Sequence, residues 1–289
     1  MPERTNRIGR HLATSGGLGK TLETARDLGC ETAQIFVSNP QGWADPSPRA
    51  DAELFAEGSR ELGLSPVVAH AKYLINLASP SEELRGRSVQ ALARELVAAG
   101  ALGLDLVVVH AGSHGGDGEE RGMDRLVTCL DLTRELAAGA PGRVAEPVVE
   151  NSVGAGSQLC STFDALGEVV NRAGVRACVD TAHAFVAGYD LSTPGGLRSV
   201  AEQLECTLGK AVAVVHLNDA RNGRGSHRDG HSKIGEGQIP GEAWARLFAG
   251  LPGVPMVMET PYGGPEADAA EVQMVKEIAG GLRDTPNGI

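Results

Sequence analysis

Several common carriers of function are missing from this 289-residue chain. Its five cysteines, Cys30, Cys129, Cys160, Cys178 and Cys206, are odd in number, widely spaced and form no Cys-x-x-Cys pair. That argues against a zinc ribbon or a disulfide framework and suits free thiols in a reducing cytoplasm. No apolar run approaches the ~18 residues of a bilayer span, and the opening Met-Pro-Glu-Arg-Thr-Asn-Arg lacks the apolar core of a signal peptide. No Gly-x-Gly-x-x-Gly turn follows the first predicted strand, which leaves a dinucleotide-binding open sheet little support. A phosphate-binding P-loop is absent, as is any Ser-His-Asp arrangement. Positive charge is scarce too: 26 Lys and Arg against 37 Asp and Glu give a net charge of −11. Taken alone, that balance argues against nucleic acid as a partner, although bound cations are not counted in it.

What the chain does have is alternation. Short apolar runs end near Arg10, Phe36, His70, His110, Glu150, Asp180, His216 and Glu259, with longer stretches of helical periodicity between them. Runs such as Val107-Val108-Val109 and Ala213-Val214-Val215 are continuously apolar, as expected of strands buried on both faces of a parallel sheet. Between them, Val89, Leu92, Ala93, Leu96 and Val97 form an apolar helix face, and Met123, Leu126, Val127 and Leu130 form the next. Ser79 with Glu82 resembles a capping box, and Thr193 before Pro194 reads as an N-cap with proline at the first helical position. A last helix is predicted over residues 267–282, followed by a frayed tail. The one long irregular connection is residues 219–240. About eight βα units in series predict an α/β fold, a single (β/α)₈ TIM barrel occupying residues 1–289 as one domain.

In such a barrel the active site lies at the C-terminal ends of the strands. The last six predicted strands each end on a side chain able to bind metal: His70, His110, Glu150, Asp180, His216 and Glu259. One histidine at a strand end is more often a capped or solvated residue; six in register are not explained that way. His183 follows Asp180 by one helical turn. Asp229 and His231 stand two apart in the long loop, where extended residues at that spacing point to one side. His11 sits near the end of strand one and could face the same pocket, although packing in the core or against a ligand is at least as natural. The set holds five imidazoles and four carboxylates without thiolate, which suits Zn²⁺, Mn²⁺ or Fe²⁺ better than Mg²⁺ or Ca²⁺. Nine ligands exceed one tetrahedral ion and suit two or three, with a carboxylate shared. A cluster of that kind is suited to hydrolysing a phosphate ester.

The residues resemble the endonuclease IV family of apurinic/apyrimidinic (AP) endonucleases. The matching stretches run in the family's order along nearly the whole chain: Gly9-Arg-His11 with Ser15-Gly-Gly-Leu18, Gln34-Ile-Phe36 with Asn39 and Trp43, His70-Ala-Lys-Tyr-Leu-Ile-Asn-Leu77, His110-Ala-Gly-Ser-His114, Glu150-Asn151 with Gly156-Ser157, Val179-Asp-Thr-Ala-His-Ala-Phe-Val-Ala-Gly-Tyr-Asp190, His216-Leu-Asn-Asp219, Asp229-Gly-His231, Ile234-Gly-Glu-Gly237 and Glu259-Thr260. The resemblance implies a trinuclear zinc site. One ion would take His70, His110 and Glu150. A second would take Glu150, Asp180, His216 and Glu259, with Glu150 bridging, and the third His183, Asp229 and His231. Mn²⁺ or Fe²⁺ remains compatible with one of these sites. Glu150 and Glu259 would act in catalysis. The implied reaction, in base excision repair, cuts the phosphodiester 5′ to an abasic site in duplex DNA, leaving a 3′-hydroxyl and a 5′-deoxyribose phosphate. The abasic sugar would be flipped out of the helix.

Tyr73 and Leu74 match family residues that wedge into the base stack. Gln41 stands where some members carry an arginine that enters the duplex, a departure from the pattern. Lys72 and the loop basics Arg221, Arg224, Arg228 and Lys233 suggest a basic rim over an acidic body that would steer DNA inward; Lys72, Arg221 and Arg228, with Gln41, Tyr73 and Leu74, are the expected DNA contacts. The expected partner is damaged double-stranded DNA, not a membrane, and the protein is expected to work as a monomer. Two other activities compete: a sugar isomerase or epimerase on a related barrel, using one or two ions, and a nuclease specialised for a particular lesion. A non-catalytic lesion-binding protein is a further class, against which the intact ligand set argues.

Overall fold

A computed structural model describes residues 6–281. Eight parallel strands close into a barrel in the order β1 (Ile8–Leu12), β10 (Met256–Met258), β7 (Val212–His216), β6 (Arg176–Asp180), β5 (Glu146–Glu150), β4 (Leu106–His110), β3 (Val67–His70) and β2 (Thr32–Phe36). Ile8 pairs with Met256 and Gly9 with Thr32, so the first strand closes the ring between the last and the second. Backbone contact there is close: a Cβ on Gly9 would lie 1.7 Å from the Thr32 carbonyl oxygen. The helices α1 (Leu18–Asp27), α2 (Ala52–Glu61), α3 (Glu82–Ala101), α4 (Glu119–Ala138), α5 (Phe163–Ala173), α6 (Thr181–Ala187), α7 (Pro194–Thr207), α8 (Gly241–Gly250) and α9 (Pro265–Gly281) connect the strands. No helix among the described residues is long and apolar enough to cross a membrane.

The continuously apolar strands bury both faces, as their sequence predicts. A large outer core between strands and helices includes Val107, Val109, Val149 and Val179. A smaller inner core, Val68, Leu106, Val108, Val148, Cys178, Ala213, Val214 and Val257, fills the barrel. Side chains on a strand alternate with period two. The next inward position above Val68, Val108, Val148, Cys178, Val214 and Val257 is therefore His70, His110, Glu150, Asp180, His216 and Glu259. The alternation that packs the barrel also aims all six functional side chains inward.

Local signals are met with three differences. Thr193 caps α7, accepting from Gly196 N at 3.0 Å, with Pro194 at the first position. The cap of α3, however, is Ser81, which accepts from Leu84 N; Ser79 accepts instead from Ser81 N, one turn-like step earlier. Glu82 is thus the first residue of the helix, too early to reach back as the acid of a capping box. The last helix begins at Pro265, and Leu282 with the expected tail lies outside the described residues. Residues 219–240 are not wholly irregular: β8 (Asp219–Ala220) and β9 (His231–Ser232) pair antiparallel across them.

Candidate metal centre

The barrel mouth brings all nine sequence-predicted ligands together. Glu150, at the end of β5 and 1% exposed, is the hub. Its Oε2 lies 3.4 Å from His70 Nε2 and 3.4 Å from His110 Nε2. Its Oε1 lies 3.0 Å from His216 Nδ1, which in turn lies 3.3 Å from Glu259 Oε2. Glu150, Asp180, His216 and Glu259 place one ligand atom each within 4.8 Å of one another, as do His70, His110 and Glu150. A third such group joins Asp180, His183 and His231. Asp229, exposed on its loop, lies 3.5 Å from His183 Nε2 and 3.6 Å from His231 Nε2. Asp180 therefore faces two groups, a sharing that spacing along the chain does not reveal.

The hydrogen bonds of the rings indicate which nitrogen is left for an ion. His70 Nδ1 donates to Ala71 O at 2.7 Å and His183 Nδ1 to Asn151 O at 2.9 Å, leaving each Nε2 toward the centre. His216 is reversed: its Nε2 lies 2.9 Å from Gln34 Oε1, leaving Nδ1 inward. Glu150 Oε2 and His231 Nε2 are buried without a hydrogen-bond partner among the described residues. Buried polar atoms are seldom left so, and a cation at each group would satisfy them. The donor chemistry and these orphaned atoms fit divalent metal ions.

Electrostatics agree. Burial resists charge on Glu150, but the imidazoles of His216, His70 and His110 hold its carboxyl well below the usual range. Burial likewise resists charge on Glu259, and His216 and His11 outweigh it. For His183, burial is overcome by Asp180, Asp229 and Glu150, and the ring is pushed up to about 10. The carboxylates thus hold protons on neighbouring rings, protons that a metal ion displaces. Cys178 also reaches ligand distance of Glu150 and His216. Burial pushes its thiol up to about 12, which disfavours the thiolate that a metal would take.

Neutral side chains hold the ligands, and sequence reasoning singled out none of them for this role. Gln34 Nε2 donates to Glu259 Oε1 at 2.6 Å and lies 3.0 Å from His11 Nδ1. Asn218 donates to Asp180 Oδ2 at 2.7 Å and accepts from Glu259 N at 2.7 Å. Asn151 accepts from Asp180 N at 2.7 Å. Their signal was adjacency: Asn151 follows Glu150, Asn218 stands two past His216, and Gln34 interrupts an apolar strand. His11 is an outer partner, 3.5 Å from Glu259 Oε1.

The expected DNA contacts divide. Tyr73 is 53% exposed at the mouth, its ring stacked on His110 at 6.0 Å, and Leu74 beside it is half-buried. Gln41, Arg221, Arg224 and Arg228 are exposed. Lys72 is a correction: it is 2% exposed, its ammonium donates to Ala44 O at 2.7 Å, and Glu95 lies 3.7 Å away. The side chain turns under the rim beside the exposed Tyr73 and meets a buried acid, Glu95, on α3. Lys233 leaves the basic rim for a similar reason, bonded to Asp268 at 2.7 Å and Glu271 at 3.1 Å.

Comparison with known proteins agrees with this arrangement. The profile of the xylose isomerase-like TIM barrel family matches residues 22–278. The chain is 35% identical to a probable endonuclease 4 of Haloquadratum walsbyi, over 94% of this chain and 98% of that protein. It is 37% identical to that of Halobacterium salinarum, over 94% and 99%. The crystal structure of endonuclease IV from Thermus thermophilus superposes with a TM-score of 0.84 at 33% identity, covering 95% of this chain and 99% of that one. A D-tagatose 3-epimerase-like protein shares the fold at 19% identity and a TM-score of 0.70. With nine converging candidate ligands, a closed barrel and this similarity over nearly its full length, the chain belongs to the endonuclease IV family of xylose isomerase-like TIM barrels.

Proposed function

We propose that this protein is a zinc-dependent AP endonuclease. It hydrolyses the phosphodiester 5′ to abasic sites in duplex DNA, leaving a 3′-hydroxyl and a 5′-deoxyribose phosphate, as a step of base excision repair. The observation that carries this reading is the convergence of three ligand groups through two shared carboxylates, Glu150 and Asp180, at the mouth of a barrel of this family. His70, His110 and Glu150 would hold one zinc ion, Glu150, Asp180, His216 and Glu259 a second, and His183, Asp229 and His231 the third. Zinc ions so held supply Lewis acidity toward a phosphoryl group and make water a stronger acid.

The chain's own residues do the rest. Gln34, Asn151 and Asn218 fix the ligands before substrate arrives, which limits reorganisation during the reaction. Tyr73 and Leu74 present an aromatic and an aliphatic wedge at the rim, beside the exposed Gln41. Arg221 and Arg228 offer charge to phosphates from the loop after β7. Three divalent ions would add six positive charges at the mouth, against a net charge of −11 for the chain. All nine ligands come from one chain, which supports action as a monomer, and the unpaired cysteines support a reducing cytoplasm.

The test is incision of a duplex carrying one abasic site beside an undamaged duplex, with metal content measured on the same sample. About three zinc ions per chain and cutting only at the lesion are expected, with the activity abolished in Glu150→Gln. A fully metallated protein that leaves the lesion intact would refute the reading. One bound Mn²⁺ with turnover of a ketose would replace it by a sugar isomerase.

A further inference from the structure

Two sequence motifs, His216-Leu-Asn-Asp219 and Ile234-Gly-Glu-Gly237, bracket the loop that bears Asp229 and His231, and the metal groups use only His216 of them. In the structure they meet. The Asp219 side chain, with the residue 0% exposed, accepts four backbone hydrogen bonds. Oδ1 takes Ala220 N at 2.7 Å and Ile239 N at 2.9 Å, and Oδ2 takes Gly235 N at 3.0 Å and Gly237 N at 2.9 Å. Hydrogen bonds to an ionised acceptor are about twice as strong as neutral ones, and here all four shape one loop.

The glycines explain themselves from the same contact. A Cβ on Gly237 would lie 2.3 Å from Asp219 Oδ1 and 2.5 Å from Ala220 O. Gly235 has φ +86°, a left-handed conformation that glycine adopts without strain. The chain from 235 to 239 thus wraps the carboxylate at a distance only glycine allows. Just before the wrap, Ala220 pairs with His231 and Asp219 with Ser232, and Arg221 N donates to Gly230 O at 2.8 Å. The wrapped acid and the ribbon it starts therefore define where His231 and, two residues earlier, Asp229 stand.

We infer that Asp219 is a positioning residue for the His183, Asp229 and His231 group, acting through the backbone of residues 220–239 and not by touching an ion. This inference rests on the reading of those three residues as a metal group. It predicts a site-selective defect. The groups built around His70, His110, Glu150 and Glu259 are held by the barrel strands, whereas two ligands of the third group hang on the loop.

The experiment compares wild type, Asp219→Asn and Gly237→Ala. Asparagine keeps one acceptor oxygen and turns an N–H₂ toward two backbone N–H groups, and alanine at 237 presses on the same contact from the other side. Zinc is titrated against a competing chromophoric chelator, and the loop is probed by trypsin, which can cut at the exposed Arg221, Arg224 and Arg228. Each variant is expected to bind one zinc ion fewer, or that ion at least about tenfold more weakly, with the others unchanged. Each should also be cut faster at these three arginines and not elsewhere. If Asp219→Asn does not fold, Gly237→Ala carries the test. Zinc competition and loop cleavage equal to wild type, or loss of all ions together in a folded variant, would overturn the inference. Neither readout involves DNA, so failure of wild type to incise an abasic duplex would remove the proposed activity and leave this result standing.

Discussion

The amide of Gln34 spans two ligands, its Oε1 2.9 Å from His216 Nε2 and its Nε2 2.6 Å from Glu259 Oε1. The Gln34 acceptor holds a proton on His216 Nε2, so Nδ1, which donates to Glu150 Oε1 at 3.0 Å in the metal-free protein, is the nitrogen left for an ion. Gln34→Leu keeps the volume and removes both bonds. It is expected to lower zinc affinity at the Glu150, His216 and Glu259 group by about 10–100-fold, read by competition with a chelator. An unchanged midpoint would mean that packing alone orients the ring.

The pH dependence differs in sign between the metal-free and zinc-bound protein. His183 is pushed up to about 10 by Asp180, Asp229 and Glu150, against burial. A raised histidine contributes stability fully below its ordinary value of ~6.5 and loses it as pH climbs through the folded value. Glu150 is held low by its histidines against burial, so its contribution is present above ~4.3 and lost as pH falls through its folded value. Together these two groups should stabilise the metal-free fold most between ~4.3 and ~6.5, and the His183 contribution should fall away toward high pH. Zinc competes with the same protons, so its binding strengthens as pH rises. Thermal melts of chelator-treated and zinc-saturated samples should separate increasingly above neutral pH; parallel curves would argue against these groups as the exchanging sites.

Thiol reactivity should split one to four. Cys206 is exposed, while Cys30, Cys129, Cys160 and Cys178 are buried. Burial pushes Cys30 up to about 11 and Cys160 and Cys178 up to about 12. A disulfide reagent at neutral pH should titrate one thiol quickly and the other four only with denaturant. Two fast thiols in the native protein would contradict the packing described.

Lys72 and Arg228 should separate stability from DNA affinity. Lys72→Met leaves Glu95 buried without its cation and should cost about 3 kcal/mol. That is the low end of the range, because burial pushes the Glu95 carboxyl up and eases its protonation. Arg228→Ala, at an exposed site, should change stability by less than ~0.5 kcal/mol. It should weaken binding to any duplex and reduce the salt slope by about one. Denaturant melts and binding at two salt concentrations check both; a salt slope altered by Lys72→Met instead would return Lys72 to the DNA-facing rim.

The convergence of the six strand-end candidate ligands was legible because strand periodicity and metal-competent side chains coincide there. The final strand was legible from Pro255-Met256-Val257-Met258 alone. Other features depend on partners far away in sequence. Nothing in the residues around Lys72 announces Glu95 on α3, and nothing beside Ser79 says that Ser81 turns the chain into the helix. The place of Asp180 between two groups, and Gln34 as a clasp between His216 and Glu259, exist only once the barrel has closed. Backbone-mediated roles such as that of Asp219 are hidden for the same reason, since the four groups it accepts carry no side-chain signature.

The ligands stand one pleat above the inner apolar layer, His70 over Val68, His110 over Val108, Glu150 over Val148, Asp180 over Cys178, His216 over Val214 and Glu259 over Val257. A single-residue insertion within any of these strands would rotate its ligand out toward the helices. The same insertion beyond the strand end would only lengthen a loop, except after β6 and β7, where His183, Asp229 and His231 follow. Tolerance to length change should thus fall abruptly at the strand tips: loops that carry none of these side chains can vary in length, while the layer above the inner core accepts no frame shift.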